Sequence, residues 1–324
     1  MPKKTEISYK TIVFTVFFLL FIWFLYTIKD LILEFFVALL IMAILNPLVN
    51  RLSRLKVPRT ISVLASFLLV FGIIGVAIAG VIPPLIEQTT SFANNLPGYI
   101  ENLGLSQFVD NQVTAQLLSQ IGTLPEKALK FGISLFSNFF AVLSVVIFSF
   151  YLLLARDKLD DQLGFFFGEQ KKRGLKRLID TLEARLGGWA RGQLALMALV
   201  GVSNFVGLSL LGVPFALPLA ILAGILEIIP YFGPIVAALP AVVIGLTISP
   251  VMGLAVAALA LLIQQAENYI FVPKVMEKSA GVNPIITLLA LSIGFRLVGI
   301  VGAIISVPAV LTIQVLTRQY LLKR

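Results

Sequence analysis

Residues 11–28 read TIVFTVFFLLFIWFLYTI, eighteen positions without a charged side chain. At about 1.5 Å per residue, a helix of that length covers most of a hydrocarbon core about 30 Å thick. Lys3, Lys4 and Lys10 precede the run, Trp23 and Tyr26 stand near its far end, and no small-residue cleavage site follows. It therefore reads as a retained first helix rather than a signal peptide. Further apolar runs occupy roughly 31–49, 61–82, 132–155, 193–211, 215–229, 234–249, 251–272 and 285–316. The composition agrees, with 59% hydrophobic and 13% charged residues where a soluble domain has about 25% charged. A soluble globular enzyme is excluded. The chain reads as an all-α integral membrane protein with about eight transmembrane helices, broken or re-entrant in the C-terminal third, with the lipid bilayer as its first partner.

Loop charges orient the spans, because Lys and Arg are retained on the cytoplasmic side of short loops. The N-terminal residues, Arg51 to Arg59, Arg156 to Arg191, Lys274 with Lys278, and the tail hold 21 of the 25 basic residues. The segment 85–131 carries only Lys127 and Lys130 against Glu87, Glu101, Asp110 and Glu126, which places it outside and both termini inside. The chain thus divides into N-terminal helices (1–84), an extracytoplasmic helical cap (85–131), a fourth span (132–155), a cytoplasmic basic amphipathic region (156–192) and a C-terminal transport region (193–324). Within the cap, Phe92, Leu96, Ile100 and Leu103 recur at helical spacing, and Pro97 and Gly104 limit that helix to short pieces. Within the basic region, Leu175, Leu178, Ile179, Leu182 and Leu186 line one helical face. Such a helix suits either an anionic leaflet or packing on its own protein.

The formal net charge of +9 reports topology, not nucleic-acid binding, since the cations sit in short loops instead of forming one basic face. The chain has no Cys and no His, so thiolate nucleophiles, imidazole bases, haem histidines and Cys/His metal centres are excluded. No nucleophile elbow or phosphate-binding G-x-x-x-x-G-K-[ST] loop is present. The reading contains no catalytic, cofactor-binding or metal-binding residue, and the protein is not expected to be an enzyme.

Three carboxylates fall inside apolar runs: Glu34, one turn from the end of its span, and the deeper Glu227 and Glu267. An ionisable group at that depth costs about 2.5–3.5 kcal/mol on insertion scales and normally faces a cavity or a partner. Arg296 is the one basic residue within an apolar run of this kind, and a structural salt bridge to either deep glutamate competes with a functional site. Glu227 stands before Pro230, Tyr231, Phe232, Gly233 and Pro234. Pro230 lacks the amide that would bond the Leu226 carbonyl, and Gly233 with Pro234 argues against a straight helix. Broken backbone at membrane depth must line protein or a water-filled cavity, and secondary transporters hold substrates and coupling ions at such breaks. Gln264, Glu267 and Asn268 are spaced i, i+3 and i+4, which predicts one polar helix face. Interhelical hydrogen bonding is the structural alternative for those amides.

At these residues the sequence resembles the autoinducer-2 exporter family, also called the PerM-like permeases. The match is densest at Ile229 to Pro234, Pro240, Gln264 with Glu267 and Asn268, Pro273 with Lys274, Gly281, Pro284, Gly294, Gly299, Gly302 and Pro308. Pro58 with Arg59, Pro83 with Pro84, Tyr151 to Asp157, and Trp189 to Gln193 extend it over most of the chain. Many members have a second glycine where Phe295 and Arg296 follow Gly294, so no role for Arg296 is carried over. The resemblance implies a homo-oligomeric protein of the bacterial inner membrane with about eight spans, moving a small solute outward. Members of that family are associated with export of the quorum-sensing signal autoinducer-2 and with sodium/proton antiport. Sequence and resemblance together predict a secondary transporter or facilitated exporter of a small polar solute, with sodium/proton antiport as the alternative. Its expected path uses Glu227, Pro230, Tyr231, Gly233, Pro234, Gln264, Glu267, Asn268 and Arg296, its partner being a small polar solute or a monovalent cation. A nontransporting membrane scaffold is the alternative from another class.

Overall fold

A computed structural model describes residues 9–102, 139–276 and 283–320. Its regular elements are α1 (Tyr9–Thr27), α2 (Lys29–Arg54), α3 (Arg59–Asn102), α4 (Phe139–Ala155), α5 (Leu159–Leu210), α6 (Ala216–Leu226), α7 (Phe232–Ile248), α8 (Pro250–Ala266), a π-helical turn (Glu267–Phe271), α9 (Val272–Met276) and α10 (Pro284–Tyr320). Among the described residues all of these are helical, and six stretches are long and apolar enough to cross a membrane. The protein is an all-α, multi-pass membrane protein. Large apolar side chains such as Phe17, Leu68, Leu254 and Leu297 are more than two-thirds exposed, a surface that requires lipid as solvent.

One helical segment departs from the division drawn from composition. α1 and α2 meet at Ile28 (φ −96°, ψ 11°), whose amide bonds the Phe24 carbonyl at 3.0 Å and whose carbonyl takes the Ile32 amide at 3.0 Å, and each of the two helices is long and apolar enough to cross a membrane. In contrast, α3 continues through residues 83–84 and 97, where the sequence has prolines, as far as Asn102. It supplies the helix expected from Phe92, Leu96 and Ile100, and Leu103 and the rest of the cap lie outside the described residues.

The C-terminal run behaves in the opposite way. Val298 (φ −140°, ψ 20°) and Gly299 (φ 65°, ψ −144°) leave helical conformation, and the positive φ at 299 is one that glycine adopts without steric cost. A Cβ placed on Gly294 would lie 2.3 Å from the Gly302 carbonyl oxygen. In a straight helix two residues eight apart are separated by about 12 Å, so the chain doubles back and α10 is a helical hairpin. Arg296 sits at its exposed tip.

Packing forms four buried clusters among the described residues, two of which share α2. Met42, Leu45, Val49, Val63, Phe67 and Leu153 make one core where α2, α3 and α4 meet. Leu186, Trp189 and Leu196 of α5 pack with Leu40, Ala43, Met276, Val307 and Leu311 in another. Leu178 and Leu186 are buried, so the leucine stripe of the basic region packs on the protein itself, and the helix that carries it runs on without interruption into the span. Only Gly168 (φ 77°, ψ 158°) interrupts α5, near its start.

Charged side chains pin one end of the bundle. Arg59 donates from Nε to the Leu153 carbonyl at 2.9 Å, to Asn50 Oδ1 at 2.8 Å and to Asn46 Oδ1 at 3.0 Å, and it pairs with Asp157 at 2.8 Å. Arg156 pairs with Asp180 and with Glu183, and Gln319 donates to the Gly174 carbonyl at 2.9 Å. The basic segments 51–59 and 156–191 and the end of α10 thus share one end, as a common cytoplasmic side requires.

Candidate functional site

The break between α6 and α7 is built from an unusual sequence of backbone bonds. Glu227 closes α6 with its amide on the Ala223 carbonyl at 3.1 Å. Beyond it the Ile229 amide takes the Leu226 carbonyl at 3.0 Å, and the Gly233 amide takes the Ile229 carbonyl at 2.9 Å. Tyr231 adopts φ 68°, ψ −43°, which turns the chain into α7. A Cβ on Gly233 would lie 2.0 Å from the Leu226 carbonyl oxygen and 3.0 Å from the Glu227 amide nitrogen. The first turn of α7 can therefore rest against the last turn of α6 only because residue 233 has no side chain.

The carbonyl of Glu227 has no helical donor, and it is met from another helix. Gln193 of α5, itself buried, donates from Nε2 to that oxygen at 2.6 Å. Sequence reasoning did not place Gln193 in the site. Its signal was a lone amide at the start of an apolar run, within the Trp189 to Gln193 segment that carries part of the resemblance.

Glu227 and Glu267 are the deepest carboxylates among the described residues, 1% and 6% exposed. The two lie close enough to act on each other electrostatically, and Gln264 Nε2 donates to Glu267 Oε2 at 3.3 Å. Glu227 Oε2 has no protein donor, the one buried side-chain polar atom so placed among the described residues. Two ionised carboxylates this close repel each other strongly in a low-dielectric interior. A proton or a cation between them relieves that repulsion, so the pair is chemically suited to hold either.

A cavity of about 20 Å³ adjoins Glu267, lined by Val200, Asn204, Pro234, Ala237, Gln264 and Glu267 among others. That is close to the room one water-sized species needs. Four helices meet here because small residues let them approach. A Cβ on Gly224 of α6 would lie 2.9 Å from the Met197 carbonyl of α5, the kind of close backbone contact through which membrane helices pack.

Of the residues singled out from sequence, Glu227, Pro234, Gln264 and Glu267 converge, and Pro230 and Gly233 build the break that positions them. Tyr231 shapes the turn, but its side chain is exposed. Asn268 does not join Gln264 and Glu267 on one wall, for it is exposed while Glu267 is buried. Consecutive residues of a helix point about 100° apart, so the edge of the buried face falls between Glu267, where the π-helical turn begins, and Asn268. Arg296 is likewise absent from the pair. The hairpin in α10 carries it to an exposed tip, and it makes no ion pair among the described residues.

Comparison with known proteins follows this geometry. The pattern described as AI-2E family transporter matches residues 12–322. YrrI of Bacillus subtilis, a transport protein by name, is 29% identical over 330 residues, covering 95% of this chain and 93% of its own. YueF of the same organism, also a transport protein by name, is 30% identical over 287 residues, covering 82% and 77%. A sodium-lithium/proton antiporter of Halobacillus andaensis is 26% identical over 301 residues, covering 83% and 84%. The chain belongs to the AI-2E transporter family, and it is a membrane transporter.

Proposed function

We propose that this transporter exchanges a monovalent cation for protons at the Glu227–Glu267 pair. The observation that carries the reading is two buried, interacting carboxylates, of which Glu267 lines a cavity of about 20 Å³. A sodium-sized cation fits such a space, and a sugar-like signal molecule does not fit it in this conformation. When a cation replaces a proton at one carboxylate, the net charge of the buried site stays the same. Carrying the site past the hydrocarbon barrier is then no harder with one ligand than with the other. The break at α6 and α7 matches the way secondary transporters place ion sites at discontinuous helices, and the antiporter from Halobacillus andaensis is similar over most of both chains.

Export of a small neutral polar solute such as autoinducer-2 is the second reading. It is favoured by the amides of Gln264 and Asn204 on the cavity wall, which recognise hydroxyls without needing a charge. In both readings the end that gathers the basic segments faces the cytoplasm of an inner membrane.

Purified protein in sealed vesicles separates the two. Glu227→Gln and Glu267→Gln preserve shape and hydrogen-bonding capacity while removing the titratable charge. For cation/proton exchange, at least one of them abolishes sodium-driven proton movement measured with an interior pH dye. Wild-type sodium-driven proton flux in both variants would overturn the exchange mechanism. Uptake of labelled autoinducer-2 that survives both substitutions would favour the neutral solute.

A further inference from the structure

A second cavity lies away from the carboxylate pair, at the end where the basic segments gather. It has a volume of about 1110 Å³, and its lining includes Arg173, Lys176, Arg177, Arg185, Arg191 and Lys274. Among the described residues one acid, Asp180, borders it, and that carboxylate is paired with Arg156. Arg173, Arg177, Arg185 and Lys274 make no ion pair with a carboxylate among the described residues. Arg191 is held in place by the Ala43 carbonyl at 2.8 Å, an acceptor that leaves its positive charge in force.

The cleft follows from the periodicity of α5. Residues 173, 177, 181, 184, 188, 191 and 195 fall on one helical face at steps of three and four, and their identities change along it. Arg173 and Arg177 occupy the outer part and Arg191 stands further in, while Thr181, Ala184, Gly188 and Ala195 leave stretches of floor without long side chains. Lys274 and Val275 of α9 form the facing wall. Cations on two walls of a space with a bare floor make a receptor, whereas a solvated basic helix would present its charges outward on one convex face.

Six cations also repel the monovalent cation assigned to Glu227 and Glu267, so the cleft is unsuited to be that ion's own route. Its chemistry selects anions, and arginine forks match the oxygens of a phosphate in bidentate geometry. We propose that the cleft between α5 and α9 binds a phosphate-bearing anion, from an acidic phospholipid headgroup or from a soluble phosphorylated metabolite. The cleft ends at Gly192 and Ala195, on the same turn of α5 as Gln193, which holds the Glu227 carbonyl. A ligand there sits directly on the helix that supports the transport site.

The test uses the full chain in detergent. Inorganic phosphate is titrated calorimetrically, and retained lipid is counted by native mass spectrometry after extraction from bilayers of phosphatidylglycerol with phosphatidylcholine. Arg177→Gln with Arg185→Gln removes two cations from one wall, and Lys274→Gln removes one from the other. Arg51→Gln with Arg54→Gln removes two exposed cations elsewhere. Near a membrane surface each Lys or Arg contributes enough that two are expected to be worth about 30-fold in affinity. The proposal expects saturable binding of at least one probe, a loss of about 30-fold in the first double variant, a smaller loss in Lys274→Gln, and a change under about twofold in the control. Phosphate binding identifies a soluble ligand, and selective retention of phosphatidylglycerol identifies a lipid. If the first double variant does not fold, the presence or absence of a loss in Lys274→Gln decides the question by itself. Absence of saturable binding for both probes, or equal losses in cleft and control variants, would overturn it.

Discussion

Replacing Gly233 with alanine tests the geometry of the broken helix most directly. The added Cβ would lie 2.0 Å from the Leu226 carbonyl oxygen, where ordinary contact begins at 3.4 Å, a shortfall of about 1.4 Å. The obstacle is backbone, so no rotamer change can relieve it. Either α7 withdraws from α6 or the Leu226–Glu227 peptide turns aside, and both movements displace the Glu227 carboxylate from Glu267. Overpacking of this kind costs about 1–3 kcal/mol, and a displacement of about 1 Å at a reacting group can lower rates about 100-fold. The expected result is a thermal midpoint several degrees lower by fluorescence-detected size exclusion, with vesicle transport reduced at least tenfold in protein that still elutes as a single species. Gly75 is the control, because a Cβ there meets nothing within 4 Å, and alanine in an open helix position is worth up to about 1 kcal/mol over glycine. Gly75→Ala should leave both measurements unchanged or raise the midpoint. Wild-type stability and transport in Gly233→Ala would refute the close approach of α6 and α7.

Three further outcomes are expected. Gln193→Leu leaves the Glu227 carbonyl without its donor, so it should cost about 1–3 kcal/mol and lower transport, while Gln193→Glu in its protonated form should recover part of the loss in vesicles at pH 5. Gly302→Ala would put a Cβ 2.0 Å from the Gly294 carbonyl oxygen, so it should open the α10 hairpin and lower the thermal midpoint, whereas a straight helix would tolerate it. In this cysteine-free chain, Asp110→Cys should react with an impermeant maleimide added outside intact cells and Lys172→Cys should not, and the reverse pattern would invert the orientation.

Much of the architecture was legible because lipid makes strict demands on sequence. The uncharged run at 11–28, the basic loops and the proline and glycine clusters near 230 and 299 each follow from one physical rule, and each has a counterpart in the structure. Placement of side chains around those breaks was less legible. Asn268 shares a helix side with Gln264 by i, i+4 spacing, yet the edge of the buried face falls between Glu267 and Asn268 and leaves Asn268 exposed. Arg296 lies within an apolar run, but reversal at Gly299 moves it to an exposed tip. Gln193 escaped notice because its partner carbonyl is 34 residues away, and a hydrogen bond between helices leaves no periodicity to read.

How polar groups are satisfied at the break separates a packing kink from a working site. A kink that serves only packing gains by pairing every buried polar group, since each orphan costs about 1–3 kcal/mol. Here the backbone is paired with care: Ile229 meets the Leu226 carbonyl, Gly233 meets the Ile229 carbonyl and Gln193 reaches across to the Glu227 carbonyl. The side chain is treated differently. Glu227 Oε2 has no protein donor although the residue is 1% exposed, and its neighbour is a second carboxylate. Selection for stability alone would favour an apolar side chain of similar size at either position. A fold that satisfies the backbone around this atom and leaves the atom itself open holds its remaining capacity for hydrogen bonding, or for coordinating a cation, at a single point. Its neighbour Glu267 lines a cavity the size of one small ligand, and between the two is where a transported ion or proton would be held.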